Sequence, residues 1–177
     1  AFRVLPQIDG DGVFAALIAV CAWISIPTTI PFTLQTLGIF TAIGVLGGKR
    51  GTVSILVYII LGMIGLPVFA GFSGGIGVLF NATGGYIIGF LASSLLMWGI
   101  EAAFGRSRII LILSMIAGLI LCYAFGTAWF VIVSVRAGKA MTVGAALSMC
   151  VLPYIVPDAA KLWLACVLAR RLKKFVK

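Results

Sequence analysis

Six long apolar runs, almost empty of charge, decide what this chain can fold into. They cover residues 13–26, 33–46, 53–66, 84–102, 109–135 and 141–169. Only 10% of the residues are charged and 63% are hydrophobic, whereas a soluble domain carries about 25% charged residues. Too few polar side chains exist to cover a globular surface, so the outside of the molecule faces lipid. The expected fold is an all-α integral membrane protein, a single domain over 1–177 built as a bundle of six transmembrane helices. The last two runs exceed the about 20 residues that a spanning helix needs. The first three are short and are expected to give way to irregular backbone below the membrane surface. Such backbone is tolerated only where it is covered by protein or lines a cavity.

The basic residues fix an orientation. With the N-terminus inside, the inner loops and ends carry Arg3, Lys49, Arg50, Arg106, Arg108, Arg170, Arg171, Lys173, Lys174 and Lys177. The outer loops carry only Arg136 and Lys139. That bias predicts both termini in the cytoplasm. The net charge of +9 comes from these short clusters, which suit membrane-surface anchors better than nucleic acid. The first run follows Asp9 and Asp11 rather than a basic stretch, unlike a cleavable signal peptide. Cys21, Cys122, Cys150 and Cys166 each lie inside an apolar run, and there is no histidine. No metal site is expected.

Two stretches carry chemistry. The connection over 66–86 is long, rich in glycine and aromatic residues, and uncharged. It is too apolar to prefer water, which points to a pocket beneath it. The sixth run carries Pro153, Pro157, Asp158 and Lys161. Asp158 and Lys161 are three apart and share one helix face. A charge at membrane depth costs roughly 2.5–3.5 kcal/mol even on the lenient scale, so such a pair marks a functional interior or a self-neutralising structural bridge. Gln35, after the Pro-rich link, can hydrogen-bond an amide-like solute. Gly48-Lys49 is followed by Arg50, so no phosphate-binding loop is present, and uphill transport would draw energy from a partner or an ion gradient. No nucleophile–base pair accompanies the single carboxylate deep in the sixth run, which argues against an enzyme. Ala15, Ala16 and Ala19, and separately Gly85 and Gly89, allow close helix approach.

The runs Pro31-Phe-Thr-Leu-Gln35, Gly65-Leu-Pro-Val-Phe-Ala-Gly71, Thr83-Gly-Gly-Tyr-Ile-Ile-Gly-Phe90 and Asp158-x-x-Lys161 resemble those of BioY proteins. These are the biotin-binding S components of energy-coupling factor transporters. The resemblance covers nearly the whole chain in order. It implies a biotin pocket near the outer face of a prokaryotic cell membrane, closed by the first loop and the third-to-fourth loop. It also implies a membrane-embedded coupling subunit and two ATP-binding subunits as partners, with Ala15, Ala16 and Ala19 as the docking face, and no cofactor beyond the ligand. Asp158 would accept the ureido N–H groups of biotin. Ser73, Asn81, Gln35 or Tyr86 would serve the urea oxygen or the tail. Lys161 would either pair with Asp158 or meet the biotin carboxylate. Phe32, Phe72 and Trp23 would form walls. The chain departs from relatives at Asn81-Ala82, where Gly-Pro is common, at Ser73, where some carry Asn, and at Ile87, where some carry Arg. An S component for another small vitamin, such as thiamine or riboflavin, is the alternative.

Overall fold

The computed structural model describes residues 10–28 and 30–174. Arg3, Asp9 and Lys177, used in the charge arguments above, lie outside them. Helix α1 (Gly10–Trp23) leads into a two-stranded antiparallel ribbon, β1 (Ser25–Ile26) and β2 (Phe32–Thr33), which pairs Ser25 with Thr33 and Ile26 with Phe32. Then follow α2 (Gln35–Leu46), α3 (Gly48–Met63), the single turn α4 (Gly77–Phe80), α5 (Gly84–Phe104), α6 (Arg108–Arg136), α7 (Val143–Cys150) and α8 (Ile155–Leu172).

The lengths follow from where each helix sits. Helix α2 has 12 residues, about 18 Å at 1.5 Å per residue, well short of a roughly 30 Å hydrocarbon core. It is buried all round from Gly38 to Leu46, because α1, α3, α5 and α8 pack around it. A helix enclosed by protein is apolar on every face. Helices α5, with 21 residues, and α6, with 29, are long and apolar enough to cross a membrane. So is the sixth run, taken as Val143–Leu172.

That sixth run, one span by length and composition, is kinked rather than a single continuous helix. It breaks at a 3-10 turn over Leu152–Tyr154. Pro153 cannot donate a helical hydrogen bond, and Pro157 is accommodated in the first turn of α8, where donors have no helical partner anyway. The third run also differs. Helix α3 begins at Gly48, so the basic stretch 48–51 is helical rather than a loop. Its first N–H is held by Glu101, whose Oε2 accepts from the Gly48 amide at 2.8 Å.

Helices α5 and α6 form an antiparallel pair that approaches closely through glycine. A Cβ on Gly126 would collide with the Tyr86 ring, and one on Gly85 with the Trp129 side chain. On α1 the small-residue face is split. Ala15 (2% exposed) and Ala19 (6% exposed) are buried inside the fold, and only Ala16 is exposed. The expected three-alanine docking face is therefore not presented as a unit. Residues four apart share a row, while Ala16 sits about 100° further round.

Candidate functional site

The polar centre is built on the first turn of α8. Asp158 and Lys161 are 4% and 7% exposed, and Lys161 Nζ lies 2.7 Å from Asp158 Oδ1. The ammonium also donates to the Thr33 carbonyl oxygen at 2.6 Å and lies 4.0 Å from the centroid of the Phe32 ring. Lys has three N–H donors. Two of them are engaged in these hydrogen bonds, and the Phe32 ring lies over the ammonium. Asp158 Oδ1 accepts a second bond from Thr36 Oγ1 at 3.2 Å, and Oδ2 accepts from the Tyr123 hydroxyl. A carboxylate offers about four acceptor positions. Three are filled, which leaves one. Burial of both charges is tolerable because each is paired and hydrogen-bonded. The position of Asp158 at the positive end of α8 adds to this.

The ribbon and the start of α2 extend the network. Gln35 Nε2 donates to the Tyr58 hydroxyl at 2.7 Å, and its Oε1 accepts from Thr33 Oγ1 at 2.9 Å. One amide N–H and one lone pair of Gln35 remain. Tyr154 donates to the Ile30 carbonyl oxygen, and its ring stacks on Phe32 at 6.1 Å between centroids. Tyr86 shares a hydrogen bond with Thr127 Oγ1 at 3.3 Å. Ser73 donates to the Ala70 carbonyl oxygen at 2.8 Å, which leaves its lone pairs as acceptors.

These groups converge on one cavity of about 110 Å³, where a single water needs roughly 10–15 Å³ on the same measure. Gln35, Ser73, Tyr86, Asp158 and Lys161 all line it. Its apolar wall includes Phe69, Ile87, Phe90 and Leu119. Ile87 therefore presents hydrocarbon, not a cation, to the cavity.

Four of the expected contacts stand elsewhere. Phe32 reaches the site through Lys161 and Tyr154 rather than by lining the cavity. Phe72 is 63% exposed and stacks on Trp23 at 5.2 Å, while Trp23 Nε1 donates to the Pro67 carbonyl oxygen at 2.7 Å. This pair brackets the outer loop and does not line the cavity. Asn81 is exposed, and its backbone carbonyl accepts from Trp129 Nε1 at 3.0 Å. Sequence reasoning missed Thr33, Thr36, Tyr123 and Tyr154. The tyrosines carried a usable signal. A hydroxyl inside an apolar run needs a partner, and all four tyrosines of the chain lie in such runs.

Comparison with known proteins decides the family. The BioY family model matches residues 11–177. The chain belongs to the BioY family. It is 42% identical over 173 residues to the biotin transporter BioY of Thermotoga maritima, covering 96% of this chain and 97% of that one. It is 42% identical over 161 residues to the probable biotin transporter BioY of Pyrococcus horikoshii, covering 90% and 91%. Its fold matches the crystal structure of the S-component for biotin from an ECF-type ABC transporter with a TM-score of 0.81 and 28% identity, over 93% of this chain and 89% of that one. These BioY relatives are named as transporters, not enzymes.

Proposed function

We propose that the protein binds biotin in this cavity, on the outer side of a prokaryotic cell membrane, as the substrate-specific subunit of an ECF-type transporter. The observation that carries this reading is Asp158. It is a buried carboxylate charge-paired with Lys161, with one acceptor position left, at a largely apolar cavity. A ureido N–H meeting that position makes a charge-assisted bond, stronger than a neutral one. With Lys161 hydrogen-bonded to Asp158 and Thr33 and held over the Phe32 ring, it acts on the ligand through Asp158. The urea oxygen and the tail then fall to neutral groups: the Gln35 amide, Tyr86 and Ser73.

In this reading the chain crosses the membrane six times as one domain, with both termini cytoplasmic, as the ten-to-two bias of basic residues supports. A membrane-embedded coupling subunit and two ATP-binding subunits supply the energy that this chain has no motif to harvest. The coupling subunit meets the outward side of α1, which carries Ala16. No cofactor takes part.

Calorimetric titration of the purified protein tests the ligand. Saturable biotin binding is expected, undisplaced by thiamine or riboflavin. Asp158→Asn should weaken it at least about tenfold, given roughly 1.5–3 kcal/mol for a hydrogen bond to a charged group. Saturable binding of thiamine or riboflavin in place of biotin would overturn the assignment.

A further inference from the structure

The ends of α2 and α8 farthest from Asp158 enclose a second cavity, of about 300 Å³, closed on its third side by the start of α6. Arg106, Arg108, Arg170 and Lys173 line it, above an apolar floor that includes Leu111 and Ile112. The described carboxylates lie elsewhere or are already engaged. Asp158 pairs with Lys161, Asp11 with Arg50 at 3.0 Å, and Glu101 stands 3.9 Å from Arg106. No carboxylate among the described residues forms an ion pair with Arg108, Arg170 or Lys173.

The four cations are exposed at its mouth, and the groove between them is shaped by backbone. Arg106 Nη2 donates to the Gly44 and Val45 carbonyl oxygens at 3.0 and 2.9 Å, which holds the guanidinium at the end of α2. Gly44 lets α8 close against α2, since a Cβ there would stand 2.6 Å from the Ala169 methyl. The first turn of the 29-residue helix α6 opens here with Ser107 as its cap, adding unpaired N–H groups of positive sign. From the floor, α6 continues with exposed Leu113 and Ile116, the kind of surface that acyl chains cover.

We infer that this cavity binds the phosphate headgroup of an anionic phospholipid, with the acyl chain lying on the apolar floor. A concave cluster of cations at a membrane boundary attracts anionic lipid. A free anion would need the cations and not the hydrocarbon. The site does not depend on the biotin assignment; only the leaflet, the cytoplasmic one, follows from the proposed orientation.

The test titrates the purified full chain with short-chain phosphatidylglycerol, phosphatidylcholine and inorganic phosphate, read by native mass spectrometry, with biotin binding followed in parallel. Phosphatidylglycerol should bind at least about tenfold tighter than phosphatidylcholine, and millimolar phosphate should not displace it. Arg108→Gln, Arg170→Gln and Lys173→Gln should each weaken it about fivefold, the value of one basic residue near an anionic surface. The double variant Arg136→Gln/Lys139→Gln should not, and biotin binding should hold throughout. Equal affinity for the two lipids overturns the inference with the unaltered protein alone. So does displacement by phosphate, which would mark a free-anion site, or an equal loss in the Arg136/Lys139 control.

Discussion

Removing one member of the Asp158–Lys161 pair leaves the other as an uncompensated buried charge, at a cost of roughly 3–5 kcal/mol. Replacing both by apolar groups avoids that cost. We therefore expect Lys161→Met to lower the melting temperature in detergent more than the double change Asp158→Leu/Lys161→Met, although the double variant loses biotin binding entirely. Equal melting losses would show that the two side chains do not act as a pair. Tyr123 positions the carboxylate from α6. Tyr123→Phe should cost about tenfold in biotin affinity by calorimetry while leaving the fold intact, and an unchanged affinity would remove Tyr123 from the site. Asp158 and Lys161 were legible from sequence because charge inside an apolar run is costly. Thr36 was not, since its partner comes from another helix and no spacing within a run reports that; for Tyr123 the apolar run announced that its hydroxyl needs a partner, but not which one.

At the scale of the helices, the cavity wall depends on how closely α5 and α6 approach. The Tyr86 ring sits where Gly126 has no side chain. Gly126→Ala should displace that ring, weaken biotin binding and destabilise the protein by about 1–3 kcal/mol, the range for overpacking. A Cβ at Gly99, on the exposed side of the same pair, meets nothing within 4 Å. Gly99→Ala should leave both affinity and melting temperature unchanged. The runs themselves were readable, including the long α5 and α6. The break at 152–154 was only half readable. Pro153 and Pro157 announced a bend, but not that Tyr154 would turn to hydrogen-bond across 124 residues to Ile30. The inward packing of Ala15 and Ala19 was invisible for a similar reason. A helix that is apolar all round does not disclose which side meets protein and which meets lipid.

Across the whole molecule, the two cavities lie at opposite ends of α2 and α8, one nearly uncharged on balance and one strongly basic. The proposed orientation can be read directly. A membrane-impermeant maleimide added to intact cells should label Lys139→Cys, whereas Arg171→Cys should react only after permeabilisation. The four native cysteines are buried and should stay silent. The reverse pattern would invert the topology. The Asp158–Lys161 bridge also has an electrical consequence. Because the two charges cancel, the cavity loaded with biotin would carry the single negative charge of the vitamin's tail. Moving one elementary charge through the membrane potential involves about 2.3 kcal/mol per 100 mV. With the interior negative, inward transfer of the loaded site runs uphill by that amount, a load that falls on the partner subunits and that collapsing the potential would lift.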